Sequence, residues 1–100
     1  MSLLTIAAKD IGQYIGEDTI IIDLREPEEY VQGHIPNAVN IPYEGVSETK
    51  MDYPKDKILI LYCDRGNASL LIGRYWSRMG YRVINIYGGF RAYRGEITVD

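Results

Sequence analysis

One residue of this 100-residue chain can serve as a soft nucleophile: Cys63, its single cysteine. It follows the apolar run Ile58-Leu59-Ile60-Leu61-Tyr62 and opens the polar stretch Cys63-Asp64-Arg65-Gly66-Asn67-Ala68-Ser69, after which an amphipathic segment begins. The order strand, cysteine, glycine-bearing loop, helix aims backbone N–H groups and a helix N-terminus at one sulfur. Such a sulfur is drawn toward thiolate, and the loop around it can hold an anion. Gly66 opens backbone geometry closed to most residues, and Asn67 tolerates unusual turns, so the loop can curl with its amides inward. Ser69 offers a hydroxyl to the sulfur or a cap to the helix. Arg65 offers a cation to an incoming anion. Asp64 opposes that attraction unless its carboxylate points away. A packed, inert cysteine is the plain alternative, because free cysteine is among the most buried residue types. Its place at a strand end, before a polar glycine loop, argues against that.

The elements that must hold this loop are legible as periodicities. Residues 7–16 read as a helix with Ala8, Ile11 and Ile15 on one face and Gly16 just past its end. Thr19-Ile20-Ile21-Ile22-Asp23 is a β-branched run typical of a strand buried on both faces. Glu26-Pro27-Glu28-Glu29-Tyr30 reads as a short helix, with Pro27 in its first turn and acids at its positive end. A turn follows over Gly33-His34-Ile35-Pro36-Asn37-Ala38, then a short strand, Val39-Asn40-Ile41, that Pro42 ends. Residues 44–51 carry a weak helical pattern stopped by Tyr53-Pro54. After the cysteine loop, Ala68, Leu71, Ile72, Tyr75, Trp76 and Met79 recur at helical spacing as one apolar stripe, capped by Gly80. Val83-Ile84-Asn85-Ile86 is a last strand, Gly88-Gly89 a turn, and residues 90–94 a short helix. Strands alternating with helices predict an α/β fold: a central, mainly parallel sheet of four to five strands with helices on both faces. Ligands of such sheets bind beyond the carboxyl ends of the strands, where Cys63 falls.

Composition narrows the field. The length fits one domain, over residues 1–100. The net charge of −3 speaks against a general nucleic-acid binder. No apolar run approaches the ~18–20 residues that span a bilayer, and Met1-Ser2-Leu3-Leu4 lacks the basic and apolar regions of a signal peptide. With one cysteine there is no internal disulfide, which fits a reducing, cytoplasmic location. His34 is the single histidine; it reads as a turn residue with a structural hydrogen bond rather than a catalytic partner of Cys63, and one His with one Cys speaks against a structural zinc site. Asp23 and Arg25 lie two apart at a strand end and project to one side, a pair suited to bracing the loop. Arg74, Arg78, Arg82, Arg91 and Arg94 make the C-terminal half basic, most simply as a solvated face. The nine tyrosines read as amphipathic filling rather than base-stacking groups.

The loop from Cys63 to Ser69 resembles the active-site loop of rhodanese-like sulfurtransferases. Asp23-Leu24-Arg25-Glu26-Pro27-Glu28-Glu29-Tyr30 with Gly33-His34-Ile35-Pro36-Asn37-Ala38 is similar to the family's N-terminal signature. Gly88-Gly89-Phe90-Arg91-Ala92-Tyr93 is similar to its C-terminal one, with Tyr93 where tryptophan is common. The resemblance runs from about Thr5 to about Arg94 and looks like a stand-alone, single-domain member. It implies that a Cys63 thiolate takes the outer sulfur of a donor such as thiosulfate, releases sulfite, and passes the sulfur from a persulfide to a thiol or a protein cysteine. It further implies that the amides of Asp64, Arg65, Gly66, Asn67, Ala68 and Ser69 cradle that sulfur, that Arg65 meets a sulfonate, and that no metal or organic cofactor takes part. Cysteine phosphatases need an arginine at the position Ser69 fills, so their phosphate clamp is missing. Two other classes use the same fold: a protein-binding module, which usually lacks the cysteine, and a sensor whose persulfide is the signal.

Overall fold

The computed structural model describes residues 2–48 and 52–99. Five strands form one sheet in the order β1-β5-β4-β2-β3, with every pair parallel: β1 (Ser2–Ala7), β2 (Thr19–Asp23), β3 (Val39–Asn40), β4 (Ile58–Tyr62) and β5 (Arg82–Tyr87). The helices are α1 (Pro27–Gln32), α2 (Asn67–Arg78) and α3 (Gly89–Ala92), with 3-10 turns at Ala8–Gln13 and Tyr43–Glu48. The central strands alternate between two cores. Ile60 and Tyr62 of β4 join Ile21, Ile84 and Ile86 on one face. Leu59 and Leu61 join Ile22, Val83 and Trp76 on the other. The first face is covered by Ile11 of the 3-10 turn, Tyr30 of α1 and Phe90 of α3, the second by Trp76 of α2 and by Val46. Burial on both faces explains why β2 and β4 read as unbroken apolar runs.

Local rules account for α1. Glu26 is its N-cap and forms a reciprocal capping box with Glu29, and Pro27 takes the first turn. The chain opens differently from the helix expected over residues 7–16. Ser2–Ala7 pairs in parallel with β5 as an edge strand, and only a 3-10 turn, Ala8–Gln13, follows. Of the three positions expected on one face, Ala8 and Ile11 are buried while Ile15 is exposed. The edge strand shows no apolar run because just one of its residues, Ile6, is buried. The weak helical pattern over 44–51 is a 3-10 turn, Tyr43–Glu48; its last three positions lie outside the described residues.

The apolar stripe on the helix after the cysteine loop is half borne out: Ala68, Ile72 and Trp76 pack on the core, and the rest does not. α2 buries Ser69, Gly73, Trp76 and Ser77, whereas Leu71, Tyr75 and Met79 are exposed. Positions 69, 73 and 77 and positions 71, 75 and 79 are two rows offset by two residues, on opposite sides of a helix. The small row faces the sheet because the helix axis lies close to it. A Cβ on Gly73 would sit 3.1 Å from Leu3 Cδ1 and 3.3 Å from Val83 Cγ1. Larger side chains on that row would lift α2, and with it the start of the helix, away from the sheet. Trp76, fully buried beside this row, fills the remaining space. Replacing Trp76 by Ala is expected to cost about 3–5 kcal/mol in urea unfolding. Replacing Leu71 by Ala should cost no more than about 0.5 kcal/mol, as for an exposed helix position. Equal losses at both sites would contradict the observed phase of the helix.

Candidate active site

Cys63 directly follows β4, and its sulfur sits at the head of α2. The N-cap of α2 is Gly66, in left-handed geometry at φ 103° and with no side chain to satisfy the free amides of the first turn. Sulfur takes that role. The Gly66 N–H donates to Cys63 Sγ at 3.0 Å and the Ser69 N–H at 3.4 Å. Among the described residues these two loop amides reach Sγ. Both amides and the positive end of a 12-residue helix therefore favour negative charge on this atom. Ser69 is not the helix cap. It lies inside the first turn with its hydroxyl 3.5 Å from Sγ, accepting the thiol hydrogen, and donates to Asn85 Oδ1.

The loop is held from outside by the β5–α3 corner. The Phe90 N–H donates to the Cys63 carbonyl at 2.8 Å, and the Arg91 N–H to the Asp64 carbonyl at 3.1 Å. These two bonds anchor the first two peptide units of the loop, and the amides that meet the sulfur, of Gly66 and Ser69, come further along it. Contact is too close for a side chain at the corner. A Cβ on Gly89, whose φ is 63°, would fall 2.5 Å from the Cys63 carbonyl oxygen. Gly66 is confined likewise, its Cβ position lying 3.1 Å from the Gly88 nitrogen.

Arg25 braces the same corner. It pairs with Asp23 through Nη2–Oδ2 at 2.7 Å and Nε–Oδ1 at 3.1 Å, donates to the Gly33 carbonyl at 2.6 Å, and lies over the Phe90 ring at 4.0 Å. Burial alone would lower the affinity of the guanidinium for its proton. The hydrogen bonds and charge of Asp23 outweigh burial, so the group is held above the usual arginine range. Burial first, and the Asp23 charge second, push the neighbouring Tyr62 hydroxyl well above the usual phenol range.

Cys63 is 6% exposed, at the floor of a cavity of about 290 Å³ whose wall also includes Arg25, Glu26, Glu29, Asp64 and Arg65. Asn67 and Ala68 line its rim. The Asp64 carboxylate turns toward α3, where it accepts from Arg91 Nε at 3.0 Å, with Arg65 Nε at 3.8 Å. Arg65 is otherwise exposed at the mouth. His34 packs its ring on Tyr30 at 3.8 Å, its Nδ1 lies 2.8 Å from the Tyr30 carbonyl, and its backbone bridges to Thr98. The structure thus gathers all seven loop residues, Arg25 and Asp64's partner Arg91 around one sulfur. The reading from residues alone missed Asn85 and Phe90. A polar Asn inside the run Val83-Ile84-Asn85-Ile86 was the available signal for the first; nothing local marked the backbone role of the second.

A family model described as Rhodanese-like domain matches residues 7–96. The Bacillus subtilis protein YtwF is 35% identical over 80 residues, which is 80% of this chain and 78% of that protein. A sulfurtransferase of Allochromatium vinosum is 36% identical over 78 residues, covering 77% of this chain and 73% of its own length. The crystal structure of a rhodanese-like domain protein from Staphylococcus aureus superposes with a TM-score of 0.83 at 25% identity, over 100% of this chain and 99% of that one.

Arg25→Met would leave the Asp23 carboxylate buried without its cation, and should lower stability by about 3–5 kcal/mol in denaturant unfolding. Arg25→Lys should recover only part of that loss, because an ammonium cannot reproduce the forked contact or the stacking on Phe90. Full recovery with Lys would show that charge alone is what the corner needs.

Proposed function

The chain belongs to the rhodanese-like domain family, and from that premise we propose that it is a sulfurtransferase carrying sulfane sulfur as a persulfide on Cys63. One observation supports the reading above all: two amides, from Gly66 and Ser69, bond to a cysteine sulfur at the head of a helix and on the floor of an open cavity. In the proposed cycle the Cys63 thiolate attacks the outer sulfur of thiosulfate. The S–S bond of the donor breaks, sulfite leaves with the electron pair, and an Sγ–S bond forms. An acceptor thiolate, on a small thiol or a protein cysteine, then attacks the outer sulfur and returns Cys63 as thiolate. This is covalent double displacement.

The amides that bond to Sγ stabilise Cys63 as the leaving thiolate of the second half-reaction. In this reading the other loop amides, of Asp64, Arg65, Asn67 and Ala68, complete the cradle around the outer sulfur. No metal or organic cofactor enters a step. We read residues 1–100 as one domain of the family, working in the cytoplasm; among the described residues no helix is long and apolar enough to cross a membrane.

The mouth of the cavity explains why the donor is a matter for experiment. Thiosulfate is a dianion, and Arg65 and Arg91 stand near the loop, yet the Asp64 carboxylate is paired with Arg91 and close to Arg65. Glu26 and Glu29 add negative charge on the cavity wall. Asp64→Asn would release both guanidinium groups toward the mouth. The exposed pairing is worth at most about 1 kcal/mol, so KM for thiosulfate should fall about two- to fivefold with kcat nearly unchanged, and the gain should shrink at high salt. An unchanged or higher KM would remove this electrostatic account.

The chemistry itself is tested by intact mass after incubation with thiosulfate. The wild-type chain is expected to gain one sulfur atom that cyanide removes as thiocyanate, and Cys63→Ser is expected to gain none. Thiocyanate formed equally well by Cys63→Ser, or no uptake of sulfur from any sulfane donor by the wild type, would end the proposal. Release of phosphate from an aryl phosphate would place the chain among phosphatases instead.

A further inference from the structure

A buried polar chain runs from the sulfur into the sheet: Cys63 Sγ, Ser69 Oγ at 3.5 Å, then Asn85 Oδ1 at 2.5 Å from that hydroxyl. Ser69 is 0% exposed and Asn85 3%. Asn85 stands in β5 between Ile84 and Ile86, opposite Leu61 of β4, where a strand buried on both faces ordinarily carries an apolar side chain. A hydroxyl has one hydrogen. Asn85 Oδ1 is its near acceptor, and the Gly66 carbonyl, 3.2 Å from Oγ, a longer second one; with the hydrogen on Asn85, Ser69 turns a lone pair to the sulfur and accepts the S–H of the thiol. That arrangement suits a thiol and opposes a thiolate.

When Cys63 ionises, the S–H bond breaks, the proton leaves to water and the electron pair stays on sulfur. Ser69 then has to swing its hydrogen onto the anion, which strips Asn85 Oδ1 of its donor. A carboxamide can repair this by turning about its terminal bond. Nδ2 then occupies the former place of Oδ1 and donates to Ser69 Oγ. The bond between Ser69 and Asn85 is thus kept in both ionisation states of the sulfur.

We propose that Asn85 is a positioning residue whose amide sets the direction of the Ser69 hydroxyl, and through it the balance of thiol and thiolate at Cys63. The proposal deepens the sulfurtransferase reading and takes its catalytic meaning from it, yet its test reads the thiol directly and needs no sulfur transfer. A wild type that takes up no sulfur would remove that reading without altering the measurement below.

Cys63 is the single cysteine, so alkylation by iodoacetamide reports on it alone. The charged groups facing it are Arg25, Glu26, Glu29, Asp64 and Arg65 on the cavity wall, with Arg91 acting through Asp64. All are the same in every variant compared. The pH profile of alkylation is to be measured for the wild type, Asn85→Asp and Asn85→Leu, each with and without Ser69→Ala. An ionised Asp is an acceptor only and holds the Ser69 hydrogen, so the midpoint should rise by about one pH unit, a tenfold change in thiolate fraction. Leu accepts nothing and frees the hydrogen for the sulfur, with only the longer Gly66 carbonyl contact in competition, so the midpoint should fall. In the Ser69→Ala background the Asp effect should drop to less than half, the residue being the direct field of the new charge, and the Leu effect should vanish. The proposal is overturned if Asp shifts the midpoint equally in both backgrounds, or if Leu raises it as Asp does, as a merely loosened loop would. Should Asn85→Asp fail to fold by circular dichroism, Asn85→Leu decides alone: a midpoint below the wild-type value that Ser69→Ala abolishes upholds the relay, and an unchanged or higher one ends it.

Discussion

The site depends on two backbone hydrogen bonds, from the amides of Phe90 and Arg91 to the carbonyls of Cys63 and Asp64. A peptide unit is planar, so fixing the Cys63 and Asp64 oxygens toward α3 sets the orientation of the first two units of the loop, and from that anchored start the chain reaches the Gly66 and Ser69 amides that bond to the sulfur. The bonds join two segments far apart in the chain, one after β4 and one after β5, which the sheet places side by side. Without that juxtaposition the loop would have no reason to curl around Cys63 rather than open to water. Everything else near the site either permits those two bonds or supports them.

Small residues permit them. Gly89 has no side chain where one would strike the Cys63 carbonyl, and Gly66 none where one would crowd the Gly88 nitrogen. Gly73 lets α2 settle close on β1, β4 and β5, so that the start of the helix reaches the sulfur. Charge supports them. The Asp23–Arg25 pair is buried, an arrangement that contributes little to stability compared with an apolar pair but is costly to break. Its use here is directional: the guanidinium ties the end of β2 to the Gly33 carbonyl and to the ring of Phe90, the residue whose amide holds Cys63. The loop is thus braced from β2 through α3.

Much of this was legible beforehand. The runs Thr19–Asp23 and Ile58–Tyr62 announce central parallel strands because burial on both faces leaves no polar alternation to confuse them. Glu26, Pro27 and Glu29 announce α1 because capping is chemistry between near neighbours. The loop from Cys63 to Ser69 announces itself by type and spacing. The edge strand Ser2–Ala7 was not legible, since its partner β5 is some eighty residues away and most of its side chains meet solvent. The buried face of α2 was legible only in Ala68, Ile72 and Trp76, for a related reason. Hydrophobic spacing finds the side of a helix with large apolar residues, whereas α2 meets the sheet through Ser69, Gly73 and Ser77, with Trp76 alongside.

The amino-acid sequence by itself determined the single cysteine and its loop, the glycine that lets that loop curl, the helix that follows, and the alternation of strands and helices that sets Cys63 at a carboxyl end of the sheet. Each of these rests on interactions within a few residues or on a repeating pattern. Tertiary structure alone decided which amides meet the sulfur, that Asp64 turns to Arg91, that Arg25 lies on Phe90, and that Asn85 reaches Ser69 from another strand. Those contacts join atoms brought together by sheet order and close packing, and no spacing along a single segment encodes the direction of a hydrogen bond between two of them.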